Sequence, residues 1–236
     1  MTNFYDFNIK ANNEVIETLE KFGFKGACIF YDSEILDENK KDIMNDFNML
    51  NESTKINLYK GVFINQTNPQ ILSKKVLKYH KKMDLIMVNG GKENINRTAC
   101  QMPQIDIINE PYLSNHNSGI NHVLAKFLVE NNITININYR SILKSRGYYK
   151  SKVLNQINQL FNLKKKYNFN TIISSGSKSF YDVKTPKEMM SLGNLFNTTE
   201  AVIEDSLTSN VEDIITNIAT IKNSIVYGVE TIKDWF

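Results

Sequence analysis

The residues best suited to chemistry lie in a short polar loop, Ser175-Gly176-Ser177-Lys178, which follows the apolar, β-branched run Thr171–Ser174. The run is typical of a buried strand. The loop would stand at its carboxyl end, where α/β folds usually carry their sites. Between Ser174 and Pro186 the sequence has no His, no Cys and one carboxylate, Asp182. Ser, Gly and Lys without an acid/base pair favour binding of an anion over proton transfer.

Few residues are suited to enzyme catalysis. The histidines, His80, His116 and His122, form no H-x-H, H-E-x-x-H or Cys/His pattern with metal-ligand spacing. A PHP-type metallophosphoesterase needs several His and Asp ligands at strand ends, and the plausible ligands here are Asp6, Asp106, His116 and His122. No G-x-S-x-G elbow and no phosphate-binding loop is present. We therefore predict no catalytic residue and no metal ligand in the protein.

Charge is distributed unevenly along the chain. The formal net charge is only +3, yet from Tyr139 to Lys187 the one acid is Asp182, whereas acids dominate from Glu188 to Phe236. The basic residues of the first segment are Arg140, Lys144, Arg146, Lys150, Lys152, Lys164, Lys165, Lys166, Lys178, Lys184 and Lys187. Such asymmetry indicates an acidic partner near one face, and we predict RNA contact within this segment. Solvated helix faces are the alternative, because a general abundance of Lys also enlarges the count.

The basic segment mixes the side chains that RNA-binding surfaces use. Arg140 follows a predicted strand directly and should emerge at the rim of the fold. Arg146, Tyr148, Tyr149 and Lys150 combine guanidinium, aromatic and ammonium groups, which bind phosphates and stack on exposed bases. One of the two tyrosines is expected to pack down as a hydrophobic staple. The predicted RNA-contacting residues of this segment are Arg140, Lys144, Arg146, Lys150, Lys178 and Lys184.

Alternating strand and helix patterns must position these residues. Strands are predicted at residues 4–9, 26–31, 56–64, 84–88, 105–108, 133–138 and 171–174, with helices between them. Two further helices should begin at Thr185-Pro186-Lys187-Glu188, with a hydroxyl at the N-cap and Glu three residues later, and at Asn197-Thr198-Thr199-Glu200, which has the same form. A count near eight favours a closed TIM-type α/β barrel, mainly parallel and in one domain, over an open sheet. We predict this barrel over residues 1–222, followed by an extension, 223–236, that is a docked strand or partly disordered.

Three blocks of this sequence resemble the ribonuclease P protein component 3 family, the archaeal counterpart of the eukaryotic thirty-kilodalton subunit. The blocks occur in the order of the family and span about Asp84 to Asn210; the first third matches loosely. Their residues are Asp84-Leu85-Ile86-Met87-Val88 with Asn96-Arg97 and Ile105-Asp106-Ile107-Ile108; Gly119 to Lys126 with Asn132-Ile133 and Arg140-Ser141-Ile142-Leu143; and Ile173-Ser174-Ser175-Gly176 with Asp182-Val183-Lys184-Thr185-Pro186 and Ser191-Leu192-Gly193.

The resemblance implies a TIM-barrel-like fold and a non-catalytic protein subunit of the endoribonuclease that removes the 5′ leader of precursor tRNA. In that enzyme the RNA subunit performs the hydrolysis with Mg²⁺, and the protein itself holds no cofactor. It works as a pair with component 2, alongside other ribonuclease P proteins, and meets precursor tRNA indirectly. The basic positions of the family fall on Arg97, Arg140, Lys150 and Lys184. Lys150 and Lys184 stand where Arg is common, so bidentate phosphate binding weakens to a point charge.

Two other functions stay open. One is a PHP-like, metal-dependent phosphoesterase acting on a small anionic substrate, for which Asp106 and His122 would be essential. A buried Asp106 that caps a loop or pairs with Arg97 is favoured over that role. The other is a scaffold that reaches RNA only through a partner protein. No apolar run approaches the ~20 residues of a membrane span, so we expect a soluble, cytoplasmic protein with no membrane partner.

Overall fold

Seven parallel strands form one sheet in which the order in space is the order in sequence. The computed structural model describes residues 2–226 and 229–230. Its strands are β1 Phe4–Ile9, β2 Phe24–Asp32, β3 Asn57–Ile64, β4 Leu85–Asn89, β5 Ile107–Asn109, β6 Thr134–Asn138 and β7 Thr171–Ser174. Every neighbouring pair is parallel. The predicted single-domain, TIM-barrel-like α/β fold is confirmed.

Helices follow the strands and cover the outside of the barrel. They are α1 Asn13–Lys21, α2 Ser33–Glu52, α3 Pro69–Tyr79, α4 Glu93–Cys100, α5 His122–Glu130, α6 Tyr139–Lys144, α7 Gly147–Tyr167, α8 Pro186–Ser191, α9 Glu200–Asp205 and α10 Ser209–Asn223. The capping box predicted at Thr185 and Glu188 is present, and Thr199 caps α9. Helix α6 was not predicted. None of the described helices has the length and apolarity that crossing a membrane requires.

Two apolar layers result from the alternation of side chains along the strands. One face of the strands packs against the helices and includes Ile29, Ile86 and Ile108. The other face fills the barrel interior with Phe7, Phe30, Leu85, Met87 and Ile107. Helix α10 contributes Val211, Ile214 and Ile218 to this interior cluster, so it closes one end of the barrel. The amide of Asn210 donates to the carbonyl of Thr171 at the amino end of β7, which identifies the closed end as the amino-terminal one.

The described residues form seven barrel strands, one fewer than a TIM barrel has, and the chain bridges β1 and β7 by other means. Residues 206–207 enter the gap: the backbone N–H of Tyr5 donates to the carbonyl of Leu207 at 3.0 Å, and that of Ile173 donates to Ser206 at 3.1 Å. Towards the other end, the backbone N–H of Ser175 donates to Oδ1 of Asp6 at 2.9 Å. These bonds occupy backbone groups that a missing neighbour would leave unpaired.

The C-terminal extension follows α10. Its Ser224–Val226 and Val229–Glu230 pair antiparallel as β8 and β9, in a sheet of their own. Neither β8 nor β9 therefore belongs to the barrel sheet. Residues 227, 228 and 231–236 lie outside the described residues, and with them the part of the prediction that concerns docking or disorder there.

The carboxyl group of Asp6 gives this closure a pH dependence. The side chain is fully buried, and its Oδ2 atom has no hydrogen-bond partner among the described residues. Burial raises the pKa of Asp6 to about 6, although hydrogen bonds from Ser175 lower it in part. An unfolded Asp has a pKa of about 3.9. Because the folded pKa is the higher one, stability falls as the pH rises from about 4 to about 6.

We predict that Asp6→Asn raises the free energy of unfolding by about 1–3 kcal/mol at pH 8, because it removes a buried charge while keeping an acceptor for Ser175. Urea unfolding at pH 4, 6 and 8 measures the effect, and the gain should vanish near pH 4. Asp42→Asn on the exposed side of α2 is the control. A loss of stability at pH 8 would contradict the prediction.

Candidate nucleic-acid interface

The carboxyl ends of the strands surround a cavity of approximately 580 Å³ at the open end of the barrel. We call this cavity and its lining residues the mouth. Polar side chains line it from nearly every strand end: Asn8, Lys10, Asp32, Asn89, Asn109, Glu110, Asn138, Arg140, Ser141, Lys144, Ser145, Arg146, Tyr149, Ser177 and Lys178. Active and ligand sites of TIM barrels lie at this end. The mouth is therefore the principal candidate site among the described residues.

Arg140 and Asp182 form an ion pair that joins the β6 and β7 sides of the mouth. Nε of Arg140 lies 3.1 Å from Oδ2 of Asp182, with side-chain exposures of 24% and 21%. The contact has ion-pair distance but lacks hydrogen-bond alignment at Nε. Asp182 also accepts from the backbone N–H of Lys178 and the hydroxyl of Ser179. Although burial acts to raise the pKa of Asp182, these N–H groups and Arg140 lower it. The one acid of the basic segment thus fixes the loop after β7.

Gly176 has φ of +67°, a conformation that favours glycine. A Cβ atom there would overlap the side-chain amide of Asn138, which caps α6. An Ala at this position would therefore require Asn138 to move. The turn brings Ser177 and Lys178 to the mouth directly beside the start of α6 and α7.

Four of the seven predicted RNA-contacting residues meet at the mouth: Arg140, Lys144, Arg146 and Lys178. The other three do not line it. Lys150 lies on the first turn of α7. Lys184 donates to the carbonyls of Tyr181 and Val183 in its own loop. Arg97 lies on α4 and pairs with Glu93, both largely exposed, rather than with Asp106.

Three cations of the mouth are available to an anion. Lys10 pairs with Asp32 at 3.0 Å, and Arg140 pairs with Asp182. Lys144, Arg146 and Lys178 are exposed and form no ion pair with any acid of the described residues. Their free positive charge lies on the side of the mouth formed by β6, β7 and the start of α7.

Exposed aromatic rings stand beside these cations. Tyr148 is 86% exposed and Tyr149, which lines the mouth, is 49% exposed, so neither packs down as the predicted staple. In the loop after β7, Phe180 and Tyr181 stack on each other with centroids 3.8 Å apart, and Tyr181 is 78% exposed. Aromatic faces next to free cations are the arrangement that single-stranded nucleic acid requires.

The residues proposed for a phosphoesterase metal site lie apart. Asp6 is buried against Ser175, whereas His116 and His122 are exposed in the connection to α5 and at its start. Asp106 precedes β5, so it lies towards the closed end, where it accepts from the backbone N–H of Ile86 at 2.7 Å; burial raises its pKa to about 7. No group of three or more His, Cys, Asp or Glu side chains in residues 2–226 and 229–230 is arranged to hold a metal ion.

Comparison with known proteins places this geometry in a family. The sequence model of the family described as RNase P subunit p30 matches residues 3–223. The chain belongs to the RNase P subunit p30 family. Two relatives named ribonuclease P protein component 3 are each 29% identical: one from Methanothermobacter thermautotrophicus, with 98% of this chain and 96% of the relative covered, and one from Methanococcus maripaludis, with 98% of each covered.

A chain in a solved structure has the same fold as this one. A chain of the cryo-EM structure of archaeal ribonuclease P with mature tRNA superposes with a TM-score of 0.80 and 27% identity, over 98% of this chain and 99% of that chain. The family match begins at residue 3 and so includes the first third, where the sequence blocks alone matched loosely. These matches favour a ribonuclease P subunit over a phosphoesterase.

Sequence reasoning missed the polar floor of the mouth in this p30-family chain. Amides form a hydrogen-bonded row in which Asn136 donates to Asn109 at 2.8 Å, Asn109 to Asn89 at 3.0 Å and Asn89 to Asn65 at 3.1 Å. Asn65, Asn89 and Asn109 each directly follow a predicted strand, and Asn136 lies within one, so the shared position of the first three was the available signal. It was passed over because Asn is abundant throughout the chain.

Glu110 was missed as well. It follows β5 with φ of +48°, is buried, and accepts from the hydroxyl of Ser141 and the amide of Asn109. Burial raises the pKa of Glu110, although these hydrogen bonds lower it in part. A buried carboxylate on left-handed backbone is a strained arrangement, of the kind found at functional sites.

We predict that the Arg140–Asp182 pair stabilises the folded protein more than the Arg97–Glu93 pair does. Asp182→Asn should lower the free energy of unfolding by about 1 kcal/mol, because it removes a half-buried partner of Arg140 and weakens two turn bonds. Glu93→Gln, its matched control on α4, should change it by less than about 0.5 kcal/mol because that pair is exposed.

Denaturant unfolding and hydrogen exchange at the Lys178 amide measure the difference. Faster exchange at Lys178 in Asp182→Asn alone is expected. Equal effects of the two substitutions would contradict the structural role of the Arg140–Asp182 pair.

Proposed function

We propose that this chain, a protein subunit of ribonuclease P, assists the catalytic RNA in removing the 5′ leader of precursor tRNA and acts as a pair with component 2. The RNA carries out the hydrolysis with Mg²⁺, and the protein supplies no catalytic residue. The observation that carries the proposal is the family match across residues 3–223, joined to a mouth whose free charge is positive. Both features suit a protein that stabilises a folded RNA.

Positive charge at the mouth supplies the physical reason. A catalytic RNA must bring phosphates close together, and cations that neutralise them release counterions and favour the folded form. Lys144, Arg146 and Lys178 are exposed and unpaired among the described residues, so they meet an RNA at the least desolvation cost. Tyr148 and Tyr181 offer exposed faces on which unpaired bases stack.

The other four predicted RNA contacts would contribute less to binding than these three cations. Arg140 would keep Asp182 while touching a phosphate, Lys150 extends the basic surface along α7, and Lys184 contributes from the loop after β7. Arg97 lies on α4, away from the mouth lining, and would meet a different stretch of RNA.

A basic partner protein would suit the acidic surface formed by α9 and α10. Glu200, Asp205, Glu212 and Asp213 are exposed there, on a part of the chain nearly free of cations. We propose this surface for component 2, because opposite charge steers two proteins together and selects their register. Other ribonuclease P proteins complete the assembly, and precursor tRNA is met indirectly.

We assign the complex to the cytoplasm, as the sequence predicts. Within the chain, residues 1–222 would form the folded unit, and 223–236 an extension to it.

Reconstitution tests the proposed function directly. We expect the chain, component 2, the cognate RNA and Mg²⁺ together to remove the leader of precursor tRNA faster than any mixture that lacks the chain. Leader removal is followed by gel electrophoresis of labelled substrate. Equal rates with and without the chain would contradict the proposal, as would RNA-free cleavage by the chain alone.

Charge removal at the mouth tests the mode of RNA contact. Arg146→Ala with Lys178→Ala should weaken binding of the ribonuclease P RNA about tenfold and reduce the slope of log K against log salt by about 1.5, because two phosphate contacts are lost. Arg140→Ala is less informative, since it also leaves Asp182 without its partner.

Lys165→Ala with Lys166→Ala is the matched control. It removes two exposed charges from the opposite end of α7, about 30 Å from the mouth. Filter binding at several salt concentrations measures both pairs. If the mouth variant binds RNA as tightly as the wild type, Arg146 and Lys178 of the mouth do not contact the RNA.

A further inference from the structure

We propose that the mouth binds a 5′-phosphorylated nucleoside, with its phosphate on Lys144, Arg146 and Lys178 and its base on the amide floor at Asn89 and Asn109. The ligand is either a free mononucleotide or an unpaired nucleotide of an RNA. The second source rests on the proposed function, which the first does not need. The mouth would then recognise the shape of one ligand and also form part of a cationic rim.

The size and position of the mouth suit such a ligand. Its volume of approximately 580 Å³ lies within the range of small-molecule sites, about 300–1,000 Å³. It opens at the carboxyl ends of the strands, while α10 fills the other end of the barrel with apolar side chains. A molecule can therefore enter from one side only and rest on the floor.

One side of the mouth is built for a phosphate. The three unpaired cations converge from three segments of chain, namely α6, the start of α7 and the loop after β7. Lys10 and Arg140 already pair with carboxylates across the mouth, so they frame the site and leave the excess charge at Lys144, Arg146 and Lys178. A single dianionic group at this place would neutralise that excess.

The opposite side is built for a planar polar group. The amide of Asn89 donates one hydrogen to Asn65 and accepts one from Asn109, which leaves it one hydrogen and one lone pair. An amide with one donor and one acceptor free can pair with a base edge in a bidentate manner. Glu110 beside it accepts from Ser141 and Asn109 and so fixes the floor. Tyr149, at the start of α7 on the side of the cations, supplies a partly exposed ring on which a base can stack.

The two sides of the mouth together favour a nucleotide over phosphate, a sugar phosphate or an apolar ligand. Inorganic phosphate or a sugar phosphate would use the cations but leave the free hydrogen and lone pair of the Asn89 amide unused. An apolar ligand would desolvate three unpaired cations without compensation. A nucleotide satisfies both sides at once, because its charged and planar polar ends are separated by the sugar.

Isothermal titration of the full chain with the four 5′-mononucleotides, ribose 5-phosphate and inorganic phosphate tests the proposal. We expect at least one nucleotide to bind about tenfold or more tightly than ribose 5-phosphate, because stacking and base pairing add to the phosphate contact. Equal binding of nucleotide, sugar phosphate and phosphate would overturn the proposal, since the mouth would then be an anion site only. Absence of nucleotide binding would overturn the free-ligand form.

Variants separate the two sides of the site. Arg146→Ala with Lys178→Ala should weaken nucleotide and ribose 5-phosphate binding alike, by about tenfold. Asn89→Leu should weaken nucleotide binding to the level of ribose 5-phosphate and leave ribose 5-phosphate unaffected. The Lys165→Ala and Lys166→Ala pair should change neither. If thermal unfolding shows that Asn89→Leu does not fold, the amide chemical shifts of the wild-type protein are followed while a nucleotide is added. We expect the changes to centre on Asn109 and Gly176, and changes centred elsewhere would overturn the proposal.

The RNA source is tested with the ribonuclease P RNA and the same floor variant. If an unpaired RNA nucleotide enters the mouth, Asn89→Leu weakens RNA binding and mononucleotides compete with the RNA. If mononucleotides bind but neither effect on RNA is seen, the free nucleotide is the ligand. If none of these effects occurs while leader removal still requires the chain, the nucleotide site is wrong and the proposed function stands.

Discussion

Closure of the barrel between β1 and β7 is the constraint on which the rest of this structure depends. Seven strands leave one gap, and an open gap would expose two edges and their unpaired backbone groups. The chain bridges it with Ser206 and Leu207 near the amino-terminal end and with Asp6 and Ser175 towards the mouth. The second bridge also sets the start of the loop after β7. The placement of Ser177 and Lys178 at the mouth is thus a consequence of how the barrel closes.

Charge pairing then determines what the mouth can do. A count of cations overstates its positive character, because Lys10 and Arg140 are neutralised by Asp32 and Asp182. The Arg140–Asp182 pair is the more buried of the two, so breaking it would leave a charge in a poorly solvated place. What remains for a ligand is a compact group of three exposed cations on one side and a row of amides on the other. The mouth is therefore positively charged on one side and lined by neutral amides on the other, a difference that net charge does not express.

The fold was largely predictable because its signals are local. Apolar runs of strand length and hydroxyl caps such as Thr185 depend on neighbouring residues only, and the structure reproduces them. The bridge between β1 and β7 was not predictable, because the bond from Tyr5 to Leu207 joins residues far apart in sequence. Helix α6 escaped since six residues give too little periodicity to recognise.

The site was predictable in part, for the same reason. Arg140 and Lys178 were predicted to lie at this rim because they follow strands, and strand ends share one edge of a parallel barrel. Lys144 and Arg146 were predicted from the basic segment alone, and they too line the mouth. The pairing of Arg140 with Asp182 was not identified, and neither was the exposure of both Tyr148 and Tyr149. Each depends on side-chain packing between separate loops. The floor was missed because a row of Asn residues becomes visible only when β4, β5 and β6 lie side by side.

The polar groups of the mouth also explain why this barrel is suited to binding rather than to proton transfer. A general acid or base needs a titrating group that faces the substrate and is free to exchange a proton. Glu110 is the titratable group with the strongest claim there, and it is held by Ser141 and Asn109 and shielded from solvent. Asp6 and Asp106, whose pKa values burial raises to about 6 and about 7, accept hydrogen bonds from backbone N–H groups. Each of these carboxylates is committed to holding backbone or side chains in place, so the fixed cations and amides are left as the groups that act on a ligand.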